Sequence, residues 1–83
     1  MTCFERYTIN KRALPTELIL VQCGDFHETF GNDAILLSKL FNIPLTHRRL
    51  SESQSVAICG IVYHQLDHYL NKLHDMGIAA TTA

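Results

Sequence analysis

Two short apolar runs constrain this chain more than any other feature. Leu18-Ile19-Leu20-Val21 contains no polar residue, and neither does Val56-Ala57-Ile58-Cys59. A continuous run of this length, bounded by turn residues, reads as a buried strand. Buried strands need other elements packed on them, so the rest of the chain must supply a covering layer. With 83 residues, 47% of them hydrophobic and 18% charged, there is material for one modest core. Residues 1–83 are therefore read as a single domain. A domain this small buries only about 60% of the surface its unfolded chain exposes, so marginal stability is expected.

The remaining elements follow from punctuation and period. Residues 2–13 read as a short helix that ends before Pro15, because proline disfavours helix at the preceding residue, Leu14. Gly24-Asp25 turns the first apolar strand. Phe26 to Phe30 is then extended, with Phe26, Glu28 and Phe30 on one side. Gly31-Asn32-Asp33 starts a helix, with Asn32 as its cap and Asp33 in its first turn. That helix runs to about Asn42 and is limited by Pro44. Leu45 to Arg49 is a short strand, Leu50 to Ser55 a loop, and Val56 to Cys59 a strand closed by Gly60. Leu66, Tyr69, Leu70 and Leu73 recur at helical spacing within His64 to Met76, and Gly77 suits the C-terminal cap. Ile78 to Thr82 is the last strand. The fold class is α/β, a small mixed β-sheet flanked by helices.

Charge and composition exclude several functions. No Gly-x-x-x-x-Gly-Lys-Ser/Thr occurs, so no nucleotide-driven motor fits. No run approaches the roughly 18 apolar residues of a membrane span. The net charge of −1 argues against strong non-specific nucleic-acid binding, which draws on many cation–phosphate contacts. A weak or local contact remains compatible with it. Cys3, Cys23 and Cys59 form no CxxC pair, and the N-terminus has no signal-peptide pattern. The expectation is a mature chain in a reducing, cytoplasmic compartment, with Cys23 and Cys59 as buried, inert thiols.

Three constellations can carry chemistry. In Asp25-Phe26-His27-Glu28, an aromatic ring beside a carboxylate suits base stacking with a hydrogen bond to a base edge. The competing account has Phe26 and Phe30 filling the core. His64 and His68 have the i, i+4 spacing of helical metal ligands, with Asp25, His27 or Glu28 as a third ligand. The plainer account is a helix-start brace at His64 and a solvated His68, and no metal or other cofactor is assigned. Thr46-His47-Arg48-Arg49 is the one basic cluster, suited to phosphates or an acidic partner. Asp25, Glu28 and Asp33 cluster in sequence, but no nucleophile or anchoring loop accompanies them, so no enzyme activity is expected.

Taken together, Gly24-Asp25-Phe26-His27-Glu28-Thr29-Phe30 with Asn32-Asp33-Ala34 resembles the "GDFYELF…DDA" signature that opens the MutS family of DNA mismatch-repair proteins. Ile43-Pro44-Leu45-Thr46-His47-Arg48 is similar to the family's "I-x-LT-K-R". Gly60-Ile61-Val62-Tyr63-His64 is similar to "AGIPYH", and Tyr69-Leu70-Asn71-Lys72-Leu73 to "YLAKL". Tyr7, Lys11 and Pro15 fall in register upstream, so the likeness spans roughly residues 5–82. It implies the N-terminal mismatch-recognition domain. Carried over, Phe26 is the wedge that enters the minor groove at a mispair, Glu28 contacts the displaced base, and Arg48 takes the basic strand-end position beside Arg49. The family's connector, lever, clamp and ATPase have no counterpart here, so a stand-alone, non-enzymatic module is expected.

The departures from the family pattern suggest a second role. His27 replaces a Tyr, Val62 a Pro, and Gln22 stands where a basic residue is frequent. Ile35 and Leu36 replace Lys-like or polar residues, and with Leu37, Leu40 and Phe41 leave a helix apolar over nearly its whole circumference. Such a helix is buried on more than one side, or its exposed face is an interface. Two functions are therefore carried forward. One is weak binding of mismatched or bent DNA through Phe26, Glu28, Arg48 and Arg49. The other is a phage or mobile-element protein-interaction module that uses Ile35 and Leu36 to block or recruit a host nucleic-acid-handling or defence complex, or to pair with a second copy.

Overall fold

Helix α1 (Cys3–Ala13) begins with a reciprocal cap. The Thr2 hydroxyl accepts from the Glu5 amide at 3.1 Å, and the Glu5 carboxylate accepts from the Thr2 amide at 2.9 Å. That second bond holds the Glu5 carboxyl below its ordinary range. Strand β1 (Leu18–Cys23) follows, turns at Gly24-Asp25, and returns as β2 (Phe26–Phe30). Gly24 has φ of +61°, which suits the first position of a two-residue hairpin turn and strains other residues. Helix α2 (Gly31–Phe41) leads to the short strand β3 (Thr46–Arg49), then to β4 (Ser55–Val62). A 3-10 turn over Tyr63–Gln65 feeds α3 (Leu66–Asp75), and β5 (Ala80–Thr82) completes the chain. The computed structural model describes all residues, Met1–Ala83. The sheet order is β3-β4-β2-β1-β5, with β5 parallel to β1 and the other neighbours antiparallel.

The mixed sheet and the element order agree with the expectation, and three local readings are corrected. The cap of α2 is Phe30, and Asn32 lies inside the helix without capping it. Gly60 does not close a strand: β4 runs through it to Val62, paired along its length with β2. A backbone ladder overrides the usual weakness of a strand glycine. Cys23 is not an inert thiol, because Cys3 and Cys23 are joined as a disulfide with Cα atoms 6.3 Å apart. Cys59 is buried and free as expected, and burial pushes its thiol up to about 11.

Each sheet face has its own core. Leu18, Leu20, Ala57, Cys59 and Ile61 meet Ala34 and Leu37 of α2 and Leu73 of α3 on one face. Ile19, Val21, Phe30 and Ile58 meet Tyr7 of α1 on the other, with Cys3, Phe4 and Leu14 packed around them. Strand alternation therefore explains why both apolar runs lack polar residues: each side of β1 and β4 is covered.

A buried carboxylate ties the two faces together. Asp33 accepts from the Tyr7 hydroxyl at 2.8 Å, the Lys11 ammonium at 3.1 Å and the Ile19 amide at 3.3 Å. It thus joins α1, β1 and α2. Burial, then the Asp33 hydrogen bond and charge, push the Tyr7 phenol far above its usual range.

Candidate nucleic-acid interface

Strand register decides which candidate residues share a surface. Phe26 pairs with Val62, Glu28 with Gly60, and Phe30 with Ile58, while Thr46 also pairs with Ile58 and Arg48 with Val56. Paired residues project to the same side, so Phe26, Glu28, Phe30, Thr46 and Arg48 lie on one face. Helix α1 covers the Phe30 end of that face and leaves the Phe26 end open. Phe30 is 0% exposed, whereas Phe26 is 45% exposed. The two aromatics of the motif thus divide the competing accounts: Phe30 fills the core and Phe26 stands clear of it.

The open corner is concave. Phe26, Glu28, Ile43, Pro44, Thr46, Ile58 and Gly60 line a hollow of about 360 Å³. Gly60 forms its floor under the Phe26 ring, and a Cβ there would lie 3.5 Å from Phe26 Cδ1 and 3.8 Å from Glu28 Cγ. Arg48 Nη2 lies 3.9 Å from Glu28 Oε1, and its guanidinium carbon lies 6.0 Å from the Phe30 ring centroid. At that distance the ion pair is not a hydrogen bond, and Glu28 Oε1 is buried without a donor. The corner combines an exposed ring, a carboxylate, a hydroxyl and a half-exposed cation. That set can stack on a planar group, accept from it, and offset the charge of a nearby anion.

The other candidates fall elsewhere. Arg49 alternates to the opposite face of β3, where its guanidinium donates to the Glu52 carbonyl at 3.2 Å, so it does not join Phe26 and Glu28. His27 also projects away from the Phe26 face, with a buried Nδ1 that has no partner. The His-for-Tyr departure is therefore not at the open corner. His64 and His68 are exposed, rest edge-on against Tyr63 and Tyr69, and gather no third ligand. His64 does not cap α3, whose N-cap is Gln65. Asp25, Glu28 and Asp33 are separated into a turn, the open corner and the buried junction. Helix α2 is not buried all round: Ala34 and Leu37 face the core, while Ile35 and Leu36 are 36% and 39% exposed. No helix is long and apolar enough to cross a membrane.

Sequence reasoning missed the hollow and the grouping of Cys3, Cys23 and Glu28. The sulfurs and a carboxylate oxygen of these three residues lie within 4.8 Å of one another. The hollow needed the register of β2 against β4, which only the placement of Gly60 inside β4 reveals. The cysteine pairing carries no short-range motif, its partners being 20 residues apart.

A five-stranded mixed sheet with helices on both faces defines a small α/β domain, and an aromatic and a carboxylate two residues apart stand at its open corner. Residues 2–82 match the MutS domain I family, and the chain belongs to it. It is 45% identical over 74 residues to the DNA mismatch repair protein MutS of Methanothrix thermoacetophila, covering 88% of this chain and 9% of that protein. It is 48% identical over 56 residues to the MutS of Rickettsia akari, covering 68% and 6%. Against the MutS of Wolbachia pipientis it is 41% identical over 73 residues, covering 88% and 9%. The chain spans less than a tenth of the length of these relatives.

Proposed function

We propose that this domain binds distorted DNA through the open corner, without catalysing a reaction. Phe26 stacks at an unstacked or mispaired step, Glu28 accepts from the exposed base, and Arg48 meets the adjacent phosphate. The observation that carries this reading is the 45% exposure of Phe26 beside Glu28, on a face where Phe30 is wholly buried. An aromatic left out of the core on a rigid strand gains more from a base than from water.

Binding should be weak. Unstacking a step costs a few kcal/mol, and a chain of net charge −1 offers few phosphate contacts to offset it. Glu28 also faces a polyanion, and the Arg48 guanidinium at 3.9 Å reduces that penalty. Mispaired or bent duplexes have already lost part of their stacking, so they should bind better than a perfect duplex. The test is fluorescence anisotropy at low salt, using duplexes with and without one mispair. Wild type should prefer the mispaired duplex, and Phe26→Ala should lose that preference while keeping its circular dichroism. Equal binding of both duplexes by both proteins would overturn the reading.

A second reading rests on Ile35 and Leu36, two adjacent apolar side chains left over a third exposed on α2. They suit a protein partner or a second copy of this chain, at a surface separate from the Phe26 corner. Sedimentation of wild type and Leu36→Asp across a concentration series tests self-association. Identical monomeric behaviour would remove the second-copy version.

A further inference from the structure

Beside the open corner lies a cluster that shares Glu28 with the DNA reading and adds two cysteines which that reading does not use. Cys3 is the first residue of α1, Cys23 ends β1, and Glu28 lies in the middle of β2. Their two sulfurs and a carboxylate oxygen all lie within 4.8 Å of one another, and all three residues are partly buried. Glu28 Oε1 is buried without a hydrogen-bond donor, its ion-pair partner Arg48 being 3.9 Å away. A carboxylate oxygen held out of water with no donor is costly, and a cation relieves that cost.

We propose that Cys3, Cys23 and Glu28 form a redox-gated site for a thiophilic divalent cation of the zinc class. In the oxidised protein the two cysteines are a disulfide and the site is closed. A dithiol reductant opens it by exchange. The reductant's two sulfurs become joined as a disulfide, and Cys3 and Cys23 receive the electron pair and two protons as thiols. The metal then displaces those protons to solvent, and two thiolates and one carboxylate bind it.

The geometry and charge fit that ion. Zinc takes sulfur at about 2.3 Å and carboxylate oxygen at about 2.0–2.2 Å in tetrahedral sites, so its ligand atoms sit about 3.5–3.8 Å apart. The observed separations fall within reach of that spacing once the sulfur–sulfur bond is opened. Thiolates select zinc over magnesium and calcium. Cys3 sits at the N-terminus of α1, where the helix dipole favours negative charge. Arg48 offsets the single negative charge left after two thiolates and a carboxylate bind a divalent ion. The fourth position is free for water or an outside donor.

Cobalt(II) titration tests the site directly and needs no DNA, so its outcome is separate from that of the proposed function. The protein is first reduced with a phosphine, which becomes a phosphine oxide and does not compete for metal. Reduced wild type should bind one cobalt per chain, with thiolate charge-transfer absorbance that zinc abolishes. Oxidised protein should show none. Cys3→Ser and Cys23→Ser should each lose that absorbance, and Glu28→Gln should bind at least about tenfold more weakly. Cys59→Ala should behave as wild type. Circular dichroism with each variant separates lost binding from lost fold, and the Glu28→Gln side chain keeps the native shape. Cobalt binding no tighter than that of a Cys3→Ser, Cys23→Ser double variant would overturn the proposal, leaving a plain disulfide. Full affinity in Glu28→Gln, or dependence on Cys59, would do the same.

Discussion

One face of the sheet is covered by two helices and the other by one. On the first, α2 and α3 seal Leu20, Cys59 and Ile61, and the residues there serve packing. On the second, α1 seals Ile19, Val21 and Phe30 and reaches Glu28 with its first residue, Cys3, but leaves the Phe26 ring exposed. The contrast teaches where a domain of this size can place a binding surface. Its core is too small to leave a strand uncovered at the centre, so the uncovered part is the β2 side of the hairpin end, beside the single helix that is tied to Cys23 of β1. The same strand β2 therefore supplies a core residue at Phe30 and an exposed one at Phe26.

The sharpest way to break this contrast is to truncate one residue from each region. Leu37→Ala removes a fully buried side chain and should cost about 2–5 kcal/mol in urea unfolding. In a marginal domain that is enough to populate the unfolded state. Phe26→Ala should change stability by under about 1 kcal/mol, because its ring is half in solvent already. Comparable losses from both would show that the open corner is a true part of the core.

Alkaline titration separates the faces by a second route. Folding keeps Cys59 on the doubly covered face and Tyr7 on the other face in their neutral forms. Both folded values lie above the unfolded ones, so the associated stability is complete at low pH and lost as pH rises. For Cys59 the loss begins near 9 and is complete above about 11. For Tyr7 it begins near 10 and extends beyond that range. Urea midpoints taken from about pH 8 to about pH 11 should fall throughout the upper part. Tyr7→Phe should make the fall above 10 less steep, leaving the Cys59 part, and keep the earlier portion intact. A midpoint independent of pH would refute both assignments.

Smaller effects concern binding. Phe26→Ala should weaken binding of a mispaired duplex about tenfold, within the range of one lost base–aromatic stack. Arg48→Gln should weaken mispaired and perfect duplexes alike and lower the salt slope by about one, as loss of one phosphate contact does. Arg49→Gln, on the opposite face of β3, should change the slope much less. Equal slopes for the two arginine variants would mean that the strand register does not govern the contact.

The order of elements was legible because the chain marks its own boundaries. Pro15, Gly24-Asp25, Pro44 and Gly77 each stand where an element ends, and the two apolar runs lie in β1 and β4. What failed were readings in which a residue's usual local role yielded to a distant partner. Asn32 is a good cap by type, but β2 runs directly into α2 and Phe30 takes the position. Gly60 is a natural stop, yet β2 pairs across it. Asp33 does lie in the first turn of α2, as its type and place implied, and only its three partners from α1 and β1 were not legible. The motif Phe26-x-Glu28 was legible at the site, because alternation alone puts both on one side. That Arg48 joins them and Arg49 does not depends on strand register, which sequence spacing does not specify.

Strand β3 has a further consequence for how this protein behaves at high concentration. It is an outer strand of four residues, all exposed, and three of them are His47, Arg48 and Arg49. A short, cationic border repels the same border on another molecule and discourages strand-by-strand stacking into aggregates. Replacing both arginines with uncharged residues should therefore reduce solubility well before it reduces thermal stability.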